Sequence, residues 1–120
     1  MSRLVNELGE TFLESKILKE MERNMIRNFL DTIILAKLDN SSNWSGYDVI
    51  DFIHTKFGFL MSSGTVYSLL YSMERNGLIR SIWARRKRVY TLTDKGRETI
   101  DVLSQSKEEI QRFMRNLITT

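Results

Sequence analysis

The sequence predicts a mainly α, α+β domain in which helices lead into a short two-stranded β-hairpin and a long helix closes the chain. Three observations carry this reading. Apolar residues recur at helical spacing as far as Met73, β-branched and aromatic residues alternate at a period of two between Leu78 and Thr93, and the helical period resumes from Asp94. With 120 residues and no proline, the punctuation comes from glycines, capping residues and changes of period.

In chain order, residues 2–22 carry Leu4, Leu8, Phe12, Ile17 and Met21 on a helical stripe interrupted by Gly9. Between Asn24 and Leu38 the set Ile26, Phe29, Leu30, Ile33, Ile34 and Leu38 falls on the face of a core-directed helix. The polar run DNSSNWSG at 39–46 is a loop. Ser45, with Asp48 three residues on, caps a helix containing Tyr47, Val49, Ile50, Ile53 and Phe57, and Gly58 ends it. Ser62 or Ser63 then caps a helix with the stripe Val66, Leu69, Leu70 and Met73, which stops at Asn76 and Gly77. LIRSIWA and KRVYTLT flank a tight turn at Arg85 and Arg86, as expected of a hairpin. Thr93 and Asp94 open the last helix, where Ile100, Leu103, Ile110, Met114 and Leu117 form a heptad seam with Lys107 as its polar intruder.

Composition narrows the function. The net charge is +3 and the pI near 9.3. From Arg75 to Arg97 eight basic residues face the single acid Asp94, so this window is +7 while the remainder sums to −4. Such asymmetry suits an anionic partner. The chain has no cysteine and a single histidine, His54, which excludes thiolate chemistry and histidine-rich metal clusters. No nucleophile–base pair, phosphate-binding glycine loop or metal-ligand spacing is present, so neither an enzyme nor a cofactor is expected. No apolar run approaches the roughly 20 residues of a membrane span, and a soluble, cytoplasmic chain is expected.

Helix, helix, turn, helix, hairpin and terminal helix is the order of a winged helix-turn-helix, whose third helix enters the major groove while the hairpin, or wing, touches backbone. At about 100° per residue, Gly64, Ser68, Tyr71 and Arg75 lie opposite the apolar stripe, with Tyr67 at the edge. Hydroxyls there can donate to phosphates, Gly64 allows close approach, and Arg75 can read guanine. The expected DNA-binding set is Ser62, Ser63, Gly64, Thr65, Tyr67, Ser68, Tyr71 and Arg75 from the helix, with Arg85, Arg86, Lys87 and Arg88 from the wing. Against this, Tyr67 and Tyr71 could pack on a neighbouring helix, and the basic run could be an ordinary solvated turn. Trp44 and Trp83 are expected to be partly core, or else to stack on an aromatic effector.

The residues GTVY within SSGTVYSLLYSMERNGLI, SGYDVI at 45–50, Trp83 and YTLTDKG at 90–96 together resemble the PadR family of transcriptional regulators, over about residues 26–97. The resemblance implies a homodimeric DNA-binding protein, usually a repressor, with the terminal helix dimerising and some members binding a small-molecule effector between subunits. The expected organisation is a helical arm at 1–23, the DNA-binding domain at 24–93 and a dimerisation helix at 94–120, with Ile100, Leu103, Ile110, Met114 and Leu117 as the dimer seam. The function expected is sequence-specific binding of double-stranded DNA at an inverted-repeat operator. A nonspecific DNA coater and a winged-helix protein-interaction module are the alternatives. Polar outward residues on the third helix and a basic wing weigh against the interaction module.

Overall fold

The computed structural model describes residues 7, 9, 11–40 and 43–119. Their elements are α1 (Phe12–Asn28), α2 (Leu30–Asn40), α3 (Gly46–Phe57), α4 (Ser63–Arg75), β1 (Ile79–Ala84), β2 (Lys87–Leu92), α5 (Asp94–Gln105) and α6 (Lys107–Ile118). This is a winged helix-turn-helix with a two-stranded antiparallel wing and a long C-terminal helical segment.

Local chemistry sets the helix boundaries. Thr11 caps α1 through a reciprocal box: its hydroxyl accepts from the Glu14 N–H and the Glu14 carboxylate accepts from the Thr11 N–H, each at 3.1 Å. Among the described residues α1 thus begins at Phe12, while the expected stripe residues Leu4 and Leu8, and Ser41 and Ser42, lie outside the described residues. The expected boundary near residue 23 is also displaced. α1 runs through it to Asn28, and the break falls at Phe29, whose φ/ψ of −109°/19° leaves the helical region. Asn28 explains part of this, because its side-chain amide donates to the Asn24 carbonyl at 2.9 Å and competes with the helix ladder there.

Ser45 and Asp48 form the second capping box, at 2.9 and 3.1 Å, and Gly58 ends α3 in the left-handed region at φ 66°. The core gathers Leu30, Ile34 and Leu38 from α2, Val49 and Ile53 from α3, and Val66, Leu70 and Met73 from α4. Ile79, Tyr90, Leu92 and Ile100 close it from the hairpin and α5. Each of these buried aliphatic side chains contributes about 1.5–3 kcal/mol relative to exposure, which outweighs the helix propensities of so short a domain.

The hairpin pairs Ile79 with Leu92 and Ala84 with Lys87, leaving a two-residue turn of Arg85 (φ 51°) and Arg86 (φ 67°). Positive φ at both central residues makes this a type I′ turn, which Asn-Gly favours and two arginines strain. A backbone bridge from Trp44 to Tyr90 adds a contact to β2 from a segment the sequence reads only as loop. At the far end, Gly96 is obligatory: a Cβ there would collide with the Leu78 carbonyl oxygen. Thr93 donates to the Gly77 carbonyl and Lys95 to the Asn76 carbonyl, and Arg97 pairs with Asp39 at 3.1 Å, so the start of α5 is sewn to the α4–β1 turn and to α2.

The terminal helix is in two pieces. Ser106, at φ/ψ −105°/19°, separates α5 from α6, and its hydroxyl donates to the Val102 carbonyl at 2.8 Å. This divides the expected heptad seam. Ile100, assigned to dimerisation from the sequence, is 4% exposed within the chain's own core, and Leu103 packs against that core. The α2–α5 packing consumes them. Lys107 is the first residue of α6 rather than an intruder within a continuous helix, while Ile110, Phe113 and Leu117 stay exposed.

Candidate nucleic-acid interface

The second and third helices of the motif are α3 and α4, and α4 presents the outward face. Val66, Leu70 and Met73 are buried, whereas Ser62, Ser63, Gly64, Thr65, Ser68, Tyr71 and Arg75 are not part of the core. The Ser62 hydroxyl accepts from the Thr65 N–H at 3.2 Å and lies 2.8 Å from the Thr65 hydroxyl, so these two side chains first serve the helix cap.

Two properties of the start of α4 have no internal purpose. Every other helix of the described residues places an acid in its first turn: Glu14, Asp31, Asp48, Asp94, and Glu108 with Glu109. α4 has none. Its N-terminal partial charge is left uncompensated by carboxylate, the condition that suits a phosphate. The other property is Gly64, where a Cβ would meet no atom within 4 Å and φ is not positive. Neither packing nor backbone geometry requires glycine there, although glycine disfavours a helix.

The two tyrosines part company. Tyr67, 38% exposed, lies across the start of α3: a Cβ on the buried Gly46 would run into its ring. Gly46 and Tyr67 are thus a complementary pair, and one face of this tyrosine belongs to the α3–α4 contact. Tyr71, 48% exposed, has the Arg88 guanidinium 5.7 Å from its ring centroid and keeps its outer face in solvent.

The four basic wing residues also divide. Arg85 and Arg86 occupy the exposed turn and have no ion pair among the described residues. Lys87 lies 4.0 Å from Asp48 of α3, at the limit of an ion pair and largely in solvent. Arg88, its side chain still 41% exposed, lies 3.5 Å from Glu74 of α4, whose other carboxylate oxygen accepts from the Ser81 hydroxyl at 2.7 Å. Burial, the leading influence, raises the Tyr90 phenol above its usual range, opposed by the charge of Arg88. Trp83 is not core, being 76% exposed on β1, while Trp44 packs on the core and meets Phe52 at 5.2 Å between ring centroids.

Away from this face, α6 and the α1–α2 junction enclose an apolar groove of about 300 Å³ lined by Met25, Ile26, Phe29, Ile33, Phe57, Ile110 and Met114. Sequence reasoning missed Phe113, exposed one turn from Ile110 and Leu117, because it departs from the strict seam. It also missed Glu74, although a lone carboxylate on a helix otherwise bare of acids is a legible signal. No helix of the described residues is long and apolar enough to cross a membrane.

A buried helical core, an outward polar helix and a basic hairpin beside it define a winged-helix protein of the DNA-binding kind. The transcriptional regulator PadR-like family matches residues 34–102, more than half of the chain, and the chain belongs to that family. Solved relatives agree. A transcriptional regulator from Clostridium thermocellum is 26% identical, with 78% of this chain and 93% of that one covered at a TM-score of 0.66. A PadR-like transcriptional regulator from Bacillus cereus is 25% identical over 81% of this chain and 98% of its own, also at 0.66. Bacillus subtilis PadR, solved in complex with operator DNA, is 26% identical over 62% of this chain and 45% of its own, at 0.51. No curated protein matches the sequence.

Proposed function

We propose that this protein is a sequence-specific regulator of transcription, acting as a homodimeric repressor on an inverted-repeat operator. The carrying observation is the α4 face, acid-free at its N-terminus and opened by an internally unneeded Gly64, on a helix whose Tyr71 and Glu74 meet the basic wing at Arg88, the wing ending in exposed Arg85 and Arg86. In this reading the start of α4 approaches the backbone with Ser62, Ser63, Gly64 and Thr65. Ser68, Tyr71 and Arg75 face base edges and flanking phosphates, and Tyr67 contributes through its outer edge. Arg85, Arg86 and Lys87 meet phosphates beside the groove. Steric occupation of an operator by the dimer is sufficient for repression.

The division proposed on this basis is an N-terminal arm whose helix α1 runs on to Asn28, a DNA-binding unit that takes in the Ile100 and Leu103 part of α5, and a dimerising segment in α6, in place of the expected breaks at 23/24 and 93/94. The exposed apolar residues of α6 (Ile110, Phe113, Leu117) and of α1 (Leu13, Ile17, Met21), with the groove that α6 lines, support dimer formation. An interface of this kind is two-fold symmetric. Its two recognition helices would meet successive major grooves about 34 Å apart, which asks for an inverted repeat. The small-molecule effector implied for some relatives would act on that same dimeric assembly.

Selection of bound fragments from a random duplex pool, at stated salt, tests the proposal. An inverted repeat bound at least about 10³-fold more tightly than random duplex supports it. Equal affinity for all sequences would leave a nonspecific coater, and absence of any duplex binding would remove nucleic acid from the function.

A further inference from the structure

Glu74 is the one acid on α4, and it sits on the helix proposed to face a polyanion. A carboxylate there repels phosphate, so its presence needs a use. Both of its oxygens are occupied: Oε2 accepts from Ser81 on β1 at 2.7 Å, and Oε1 lies 3.5 Å from Nη2 of Arg88 on β2. One side chain of the recognition helix therefore grips both strands of the wing. The Arg88 guanidinium also meets the Tyr71 ring, one turn before Glu74 on the same helix. Tyr71 and Glu74 stand three residues apart, so both meet Arg88 from one helical face.

We propose that Glu74 is a positioning residue: it fixes the wing against the recognition helix and withholds Arg88 from DNA phosphate. This inference rests on the DNA-binding reading above. Its consequence is a division of labour among four adjacent cations. Arg85 and Arg86 at the tip touch DNA, Lys87 is held only weakly by Asp48 at 4.0 Å, and Arg88, half-buried, straps the wing to Glu74. Fixing the wing tip relative to α4 fixes the register between backbone contact and base contact. A loosened strap would bring one more cation to phosphate and weaken discrimination.

The test is the salt dependence of affinity, which counts neutralised phosphates at about 0.9 of a logarithmic unit each. Glu74→Gln keeps the side chain's size and its hydrogen bond to Ser81 while releasing Arg88. Its slope should steepen by about one unit, random duplex should bind more tightly, and the ratio of specific to random affinity should fall. The double variant Glu74→Gln/Arg88→Ala removes both charges of the pair, so its slope should return to the wild-type value while the specificity ratio stays reduced. A purely structural role would lower melting temperature without moving the slope of the single variant, so melting is recorded alongside. A single variant at the wild-type slope, or a double variant one unit shallower than wild type, overturns the proposal, because Arg88 would then be unmoved or already on phosphate. The DNA reading is judged separately by Arg85→Ala/Arg86→Ala: a shallower slope retains it, so the Glu74 proposal then fails by itself. A wild-type protein that binds no duplex overturns both.

Discussion

α4 and α6 are helices of 13 and 12 residues, and each turns an unburied face to the surroundings, yet the two faces are chemical opposites. That of α4 carries glycine, serine, tyrosine and arginine, with no acid in the first turn. That of α6 carries Ile110, Phe113 and Leu117, with Glu108 and Glu109 at its start. A face of hydroxyls and arginine gains from a partially hydrated polyanion, where hydrogen bonds and counterion release dominate. A face of aliphatic and aromatic carbon gains only from leaving water. Amphipathicity alone therefore does not name a partner; the residues on the outward side do.

The largest change should come from separating the two halves of the terminal segment at Ser106. Ile100→Ala should destabilise the domain by about 2–5 kcal/mol in urea unfolding, independent of protein concentration, because this side chain is core. Ile110→Asp with Phe113→Asp should leave the domain folded while shifting its solution mass from dimer to monomer and weakening its hold on an inverted repeat. If that variant stays dimeric and binds the repeat as tightly as before, α6 is not the seam. Leu103 is unsuited to the test, since its packing against the core confounds dissociation with unfolding.

At the wing, stability and binding should move in opposite directions. Arg85 and Arg86 hold positive φ without being glycine, a strain of about 1–3 kcal/mol each. Arg85→Asn with Arg86→Gly gives the sequence a type I′ turn favours, so the melting temperature should rise. The same change removes two cations and should flatten the salt dependence by about one unit for each phosphate no longer neutralised. A variant that melts higher and keeps the wild-type slope would remove the wing tip from the interface.

Arg75 tests base reading at the other end of α4. Arg75→Ala should cost about 1–3 kcal/mol on the selected duplex and much less on random duplex, measured at one salt concentration. Equal losses on both would make it a phosphate anchor.

Why some of this was legible in the sequence and some was not follows from the range of the forces involved. Caps are local, so Ser45 with Asp48, Gly58, Ser62 and Thr93 could be placed from their neighbours in sequence, and the hairpin turn from its basic pair. The box of Thr11 and Glu14 was equally local; the apolar stripe across Gly9 drew the boundary elsewhere. Ile100 was misassigned for a different reason: a heptad states that a face is apolar, not whether α2 or another subunit covers it. Tyr67 on Gly46, and Glu74 on Ser81 and Arg88, are contacts between elements, set only when the chain closes. The exposed side chains of α4 were readable because exposure there follows from helical geometry. Their proposed use, contact with DNA, was read from their polar types on that outward face, and a residue that the fold itself does not need is what supports it.

Gly64 is the clearest such residue, and it gives the smallest and most specific prediction. Inside a helix, alanine is favoured over glycine by up to about 1 kcal/mol, through backbone entropy and shielding of the peptide groups. At Gly46 and Gly96 that preference is overruled by steric contact, since a Cβ would strike the Tyr67 ring or the Leu78 carbonyl. At Gly64 nothing among the described residues overrules it, for the added methyl would point into open space. Gly64→Ala should therefore stabilise the domain slightly, by at most about 1 kcal/mol in urea, and yet weaken duplex binding by pushing the start of α4 off the backbone. Position near the helix end makes the stability gain the smaller of the two effects. A variant that gains stability and binds duplex with unchanged affinity would mean that the start of α4 stands clear of DNA, and the contrast between the polar face of α4 and the apolar face of α6 would then rest on Tyr71, Arg75 and the wing.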